Sequence, residues 1–179
     1  MAETTARFLI DRTDTPIGEL VIIADREGHL RAVDWTEHEA RMLQLLRLHY
    51  GEKGYTLEAA SDPGGLTATM RAYFSGKLDV IDTLPVRTAG TDFQREVWAA
   101  LRSIPCGSTV SYSELARRIG RPAAVRAVGL ANGANPVGIV VPCHRVVGAN
   151  GSLTGYGGGI QRKRWLLSHE SRALPLLKS

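Results

Sequence analysis

The sequence predicts two units in series: a small α/β unit built on an antiparallel sheet, then a mostly α unit carrying a helix-turn-helix. Three observations predict this. Short apolar runs broken by turn residues fill the first 35 positions, which is the pattern of a strand meander. Two Ser/Thr-x-x-Glu/Gln signals open helically spaced apolar stripes after residue 90. The charge also divides: residues 1–90 hold 10 Lys and Arg against 14 Asp and Glu, whereas residues 91–179 hold 12 against 4. An acidic half of −4 is thus joined to a basic half of +8. A basic half suggests a polyanionic partner, although ordinary surface variation gives the same count.

Along the first half, Arg7–Ile10 and Leu20–Ala24 read as strands around the turn-rich Asp14–Gly18, and Asp25–Gly28 turns the chain into a third, Leu30–Trp35. Met42, Leu45, Leu46 and His49 then follow helical spacing, as do Leu66, Met70, Tyr73 and Phe74, with Ser61–Gly65 a loop between them. No catalytic constellation shows here, so residues 1–88 read as scaffold. Leu84–Thr91 is the connector to a second domain over 89–179.

That domain opens on a capping box at Thr91 and Gln94, followed by a stripe of Phe93, Val97, Trp98, Leu101 and Ile104. Ser111 and Glu114 form a second such box before Leu115, Ala116 and Ile119. Gly120 suits a helix C-terminus, and Pro122 the first turn of the next helix, which carries Val125, Arg126 and Val128. Two short helices around Gly120-Arg121 have the size of a helix-turn-helix, or of a plain helical hairpin. The second helix is nearly bare apart from Arg126: it can approach DNA closely but is poorly equipped to read bases.

Val137–Val141 reads as a buried strand delivering Pro142-Cys143-His144-Arg145. Cationic neighbours lower a thiol's pKa from its usual value near 8.5, and the thiolate is the nucleophile. Successive strand side chains point to opposite faces, so His144 meets Cys143 only through a water or if the chain turns here. Glu170, after an amphipathic helix over Gln161–His169, is an acid that could orient His144. A buried, inert cysteine beside a surface histidine fits the same letters.

Other chemistries find little support. The chain of 179 residues is 44% apolar and 22% charged, the composition of a globular protein rather than a disordered one. No apolar run approaches the ~20 residues of a membrane helix, and the acidic N-terminus lacks a signal-peptide core. Cys106 and Cys143 form no CxxC, which points to the reducing cytoplasm. The five histidines make no zinc pattern, so no metal is expected. Gly155–Gly159 matches neither Walker A nor GxGxxG.

Ile139-Val-Val-Pro-Cys-His-Arg-Val-Val147 resembles the active-site signature of the 6-O-methylguanine-DNA methyltransferases (methylated-DNA–protein-cysteine methyltransferases). The resemblance extends through Phe93–Trp98, Ser111-Tyr112, Arg126–Gly129, Asn132–Pro136 and Lys163–Leu167, and the first half resembles the N-terminal domain of the bacterial single-protein repair type. It implies a ribonuclease-H-like α/β domain followed by a winged helix-turn-helix. It also implies direct-reversal repair, in which the alkylated guanine is flipped out of the duplex. Cys143 attacks the alkyl carbon on the 6-oxygen and keeps the group as a thioether, once per molecule and without a cofactor.

By the same resemblance His144 takes the thiol proton through a water, Glu170 orients His144, and Asn135 ties the recognition helix to the active site. Tyr112 crowds the target phosphate and hydrogen-bonds the extruded base, and Arg126 fills the vacated stack. Tyr156, Gly157 and Lys163 occupy pocket positions; Ser113, Arg121 and Gln94 are backbone contacts. The expected partner is double-stranded DNA containing alkylated guanine, with 4-oxygen alkylated thymine a second substrate, bound by a monomer largely without sequence specificity and with no membrane. Family members that carry N-terminal zinc use Cys and His residues there, and this chain has no Cys before Cys106. Gly157 stands where some relatives have serine, which leaves a backbone donor without a hydroxyl. Two rival classes remain. A non-catalytic damage sensor would lack Cys143, and a cysteine hydrolase would need an oxyanion hole that nothing in the sequence advertises.

Overall fold

A computed structural model describes residues 5–171 and divides the chain into two compact units. The first takes in the residues up to Gly90 together with Pro136–Gly138; the second comprises Thr91–Asn135 and the residues from Ile139 onward.

In the first unit, strands β1 (Ala6–Thr15), β2 (Gly18–Asp25) and β3 (Leu30–Trp35) form the expected antiparallel meander, with Thr15 opposite Gly18 at the first hairpin. The sheet is mixed, however, rather than antiparallel throughout. A fourth strand, β4 (Tyr55–Ala59), pairs parallel to β1 and gives the order β3-β2-β1-β4. Its burial is weak and its Glu and Ala residues have low strand propensity, so nothing in the sequence pattern announces it. What makes it a strand is the open edge of β1.

β2 lies inside, with Leu20 through Ala24 fully buried. Val21 and Ile23 join Phe8, Ala32, Met42 and Leu46 in one cluster against α1 (Glu39–Tyr50). Alternation turns Leu20 and Ile22 to the opposite face. There Trp35 meets Phe74 edge-on at 6.5 Å from α2 (Leu66–Phe74). The outer edge of β3 is also occupied. Leu30 exchanges hydrogen bonds with Pro85 and Arg87, and Val33 does so with Pro136 and Gly138, so neither stretch of β3 presents a bare backbone edge. A Cβ on Gly138 would stand 3.2 Å from the Val33 carbonyl oxygen; a glycine is what allows this approach.

Val137–Val141 is accordingly not a strand. Val137 makes one bridge to Val33, and the chain then turns through Ile139 at φ 71°. The run is apolar because it is buried, and burial alone does not specify an extended backbone.

The second unit starts with α3 (Asp92–Arg102), whose capping box is complete: Thr91 Oγ1 accepts from Gln94 N–H at 3.1 Å, and Gln94 Oε1 accepts from Thr91 N–H at 3.0 Å. β5 (Val110–Ser111) leads into α4 (Tyr112–Arg118). Here the box is half made. Ser111 Oγ accepts from Glu114 N–H at 3.0 Å, but the Glu114 carboxylate is taken by Arg117 and Arg118 instead of reaching back. Gly120, at φ 74°, ends the helix. α5 (Val125–Gly133) starts later than its proline suggests, because Pro122 lies in a turn closed by Ala124 N–H to Arg121 O. Trp98 Nε1 donates to Ala131 O at 2.8 Å and locks α3 to α5. β6 (Val146–Val147) pairs parallel to β5, and α6 (Ile160–Glu170) closes the described chain. Among the described residues no helix is long and apolar enough to cross a membrane.

Replacing Thr91 by Ala removes the acceptor and half the capping box. We expect a loss of about 1 kcal/mol, read by urea denaturation as a lower midpoint with an unchanged slope.

Candidate active site

Residues Cys143–Arg145 form a single 3-10 turn between Pro142 and β6. The chain therefore turns at the cysteine, and the opposite-face objection to a Cys–His partnership falls away. Two hydrogen bonds converge on the Val141 carbonyl just upstream: Cys143 N–H at 2.8 Å and Asn135 Nδ2 at 2.8 Å. Asn135 directly follows the C-cap of α5, so the end of that helix is fixed to the residue before Pro142-Cys143. The β5–β6 ladder fixes the other side of the turn, pairing Val110 with Val146 next to the Ser111 cap of α4.

The turn carries His144 and Arg145 into the interior, 0% and 1% exposed, where both meet the fully buried carboxylate of Glu170. His144 Nε2 lies 2.9 Å from Glu170 Oε2. Arg145 donates from Nε to Oε1 at 2.8 Å and from Nη2 to Oε2 at 3.0 Å, and its Nη1 donates to Ile104 O at 2.7 Å. Burial, the largest single influence on Glu170, pushes its pKa up. The charge and hydrogen bond of His144, with those of Arg145, together outweigh it and hold the carboxyl well below the usual carboxylate range.

An ionised carboxylate only accepts, so Nε2 carries a proton directed at Glu170. Nδ1 is buried and has no hydrogen-bond partner among the described residues. Nδ1 is therefore not bonded to Cys143 and is the one unsatisfied atom of the cluster.

Lys163 is also fully buried. Its Nζ donates to Val146 O at 2.6 Å and Thr154 O at 2.7 Å, stapling the start of the glycine-rich loop to β6. Burial pushes its pKa down, while the charge of Cys143 acts in the opposite direction. The ring of Tyr156, from the same loop, stands edge-on to His144 with centroids 6.5 Å apart. This is a half-exposed cysteine, not in a disulfide, within the influence of a buried cation and beside an imidazole oriented by Glu170.

Comparison with known proteins agrees with that chemistry. The family model described as "6-O-methylguanine DNA methyltransferase, ribonuclease-like domain" matches residues 9–88, and "6-O-methylguanine DNA methyltransferase, DNA binding domain" matches residues 92–172. The chain is 56% identical over 168 residues to a methylated-DNA–protein-cysteine methyltransferase of Shigella flexneri, covering 94% of this chain and 98% of the other. It belongs to the 6-O-methylguanine DNA methyltransferase family. The crystal structure of the Mycobacterium tuberculosis O6-methylguanine methyltransferase superposes with a TM-score of 0.75 at 41% identity, covering 94% of this chain and 96% of that one. The OGT of the same organism in complex with DNA superposes at 0.73 and 42%, with coverage of 95% and 96%.

Within this family member, the remaining site residues fall into two groups. Tyr112 begins α4, half-buried, with its ring against Gly129 of α5, where a Cβ would sit 3.9 Å from Tyr112 Cδ1. Gly157 is exposed on the loop. Ser113, Arg121 and Arg126 are exposed on or between α4 and α5. Arg121 is paired with Glu96 at 3.4 Å and lies over the Phe93 ring. The Gln94 side chain is engaged in the α3 cap.

The residue that sequence reasoning missed is Arg145, which appeared there only as a cation near the thiol. Its signal was an arginine between two valine runs, a position that requires a buried partner.

Glu170→Gln removes a charge that Arg145 needs, and we expect a loss of about 3–5 kcal/mol at neutral pH. Because the folded pKa of Glu170 is depressed, its contribution is complete above the ordinary carboxylate range and disappears as pH falls through and below that range. The gap between wild type and variant in urea melts should therefore narrow on acidification.

Proposed function

We propose that this chain repairs alkylated DNA by moving a methyl or small alkyl group from the 6-oxygen of guanine to its own Cys143. The supporting observation is the buried His144–Glu170–Arg145 cluster next to that cysteine, with Nδ1 of His144 left unsatisfied. Through a water, Nδ1 takes the thiol proton, and the resulting imidazolium is stabilised by Glu170. The thiolate attacks the alkyl carbon in line. An S–C bond forms, the C–O bond to guanine breaks with its electron pair staying on the base, and a proton returns to that base. The product is a thioether that nothing in the site can cleave, so each molecule acts once and needs no cofactor.

Residues 89–179 bind the duplex and carry the acceptor, and residues 1–88 support them. Asn135 holds the α5 end against the cysteine turn. Tyr112 contacts the extruded nucleotide and Arg126 enters the stack in its place. Tyr156, the Gly157 N–H and Lys163 shape the pocket, while Ser113, Arg121 and Gln94 meet phosphates. Alkylated thymine is a second substrate. The protein works as a monomer in the cytoplasm, where cysteines outside any disulfide stay reduced, and binds with little sequence preference because phosphate contacts carry no base information.

After incubation with a duplex containing one 6-O-methylguanine, mass spectrometry should find one added CH₂ unit on Cys143, saturating at one per protein. Tight lesion binding with no mass gain would make the protein a damage sensor instead. His144→Ala should slow transfer by about 10²–10⁴-fold. Arg126→Ala should slow repair of the duplex but not reaction with the free base; equal losses on both would remove the finger role.

A further inference from the structure

Three asparagines occur in the chain, and two of them, Asn132 and Asn150, precede a glycine. That pair of residues has a chemistry of its own. The backbone nitrogen after an asparagine can attack the side-chain carbonyl carbon, and a following glycine, having no Cβ, leaves the approach open. The two sites stand in opposite surroundings. Asn132-Gly133 lies within α5, where Asn132 is 5% exposed. A helical side chain points back toward the N-terminus, away from the following nitrogen. Asn150-Gly151 lies in the exposed loop after β6, outside any helix or strand.

The exposed loop is folded for the reaction. Gly148 N–H donates to Ser152 O at 2.8 Å and closes it, and Gly151, at φ 80°, donates to Gly148 O at 2.8 Å. Within this turn Asn150 Oδ1 accepts from Ser152 N–H at 3.1 Å, a side chain bonding to the backbone two residues on. The ring so closed runs through Cγ, Cβ, Cα and C of Asn150 and N of Gly151, which are the atoms that a succinimide joins. The same bond polarises the side-chain carbonyl and makes Cγ more electrophilic. The Gly151 N–H lies in the peptide plane, so its bond to Gly148 O fixes the peptide while the face of the nitrogen stays open. A Cβ on Gly148 would stand 2.5 Å from Ser152 Oγ and 3.4 Å from Asn150 Oδ1. The asparagine side chain thus folds into the turn instead of extending away from it.

We propose that Asn150 is a site of spontaneous covalent modification. Gly151 N bonds to Cγ of Asn150, the Cγ–Nδ2 bond breaks, and ammonia leaves with the proton from Gly151. Water then opens the succinimide at either carbonyl. The product is an aspartyl residue, or an isoaspartyl residue whose main chain is longer by a carbon. No oxidant, reductant or cofactor takes part. Either product puts a carboxylate in the half of the chain that carries +8, so binding to any phosphate backbone weakens as the molecule ages. Lys163 still ties both ends of the loop, through Val146 O and Thr154 O, and the cysteine turn is untouched. The modification is independent of the repair reading; only its effect on binding rests on that reading.

The test incubates the full-length protein in mildly alkaline buffer, folded and in urea, and follows both Asn-Gly peptides by mass spectrometry. In the folded protein the peptide holding Asn150 should gain the amide-to-acid mass difference at least about tenfold faster than the one holding Asn132, which reacts only through local opening of α5. In urea the two rates should converge to within about threefold. A folded-state rate at Asn150 no faster than that at Asn132 overturns the proposal, and so does conversion of Asn150 in urea alone. Asn150→Asp keeps an acceptor for Ser152 N–H, so the loop stays closed. By fluorescence anisotropy it should bind undamaged duplex about two- to threefold more weakly than wild type at low salt, with the gap closing as salt rises. Transfer from the free 6-O-methylguanine base should be unchanged. Equal duplex binding by the two proteins overturns the effect on binding. If wild type binds no duplex, the repair reading fails, and the mass analysis still decides the modification.

Discussion

One buried carboxylate organises the second unit. Glu170 ends α6, and by accepting from both His144 and Arg145 it attaches that helix to the turn holding Cys143. Arg145 passes the attachment on to the end of the α3 segment through Ile104 O. Removing three polar groups from water is costly, and the arrangement is tolerable only because nearly every donor and acceptor finds a partner at 2.7–3.0 Å. Arg145 also matters for the charge count, since its guanidinium balances the buried Glu170 carboxylate within the cluster.

The backbone that delivers the cysteine is held with comparable firmness. Ile139 is β-branched and sits at φ 71°, a left-handed conformation that costs a non-glycine residue roughly 1–3 kcal/mol. It is nevertheless fully buried, and packing on all sides holds it there. Two residues later, Val141 O receives both the Cys143 amide and the Asn135 side chain. A turn closed in this way has little freedom, so the thiol is positioned before any substrate arrives. That is what a transfer reaction between two large molecules requires, since the orientation of the nucleophile is then settled in advance.

Local signals in the sequence were legible where the structure obeys local rules. The Thr91 capping box, the α3 stripe, the Gly120 stop and the first three strands all follow from residues close together in the chain, and each appears where the sequence puts it. The pairing of His144 with Glu170 was legible through family resemblance, because 26 residues separate them and spacing alone cannot bring them together. What stayed hidden depends on distant partners or on competition between neighbouring groups. β4 exists because β1 has an open edge. Val137 bridges to Val33 instead of extending a strand. Pro122 forms a turn before its helix because Arg121 O captures the Ala124 amide. Glu114 abandons its capping role for two arginines one turn along, a competition that the four-letter motif does not contain.

That competition illustrates how the basic half distributes its charge. Its four acids are all engaged: Asp92 with Arg95, Glu96 with Arg121, Glu114 with Arg117 and Arg118, and Glu170 with Arg145. Only the last pair is buried, and it is far too costly to open. The other three lie at the surface, where an ion pair is worth about 0–1 kcal/mol, so a phosphate can replace the acid as a partner at little cost. Arg126, exposed and without an ion-pair partner among the described residues, needs no release at all. The unit thus separates two kinds of electrostatics within residues 92–172. A sealed, buried cluster lies beside the cysteine and is screened little by salt. The exposed cations are loosely held and answer to salt, as binding to any phosphate backbone does. Binding strength can therefore vary with the surroundings while the nucleophile's setting stays constant, which suits a protein that must sample much undamaged DNA before reacting once.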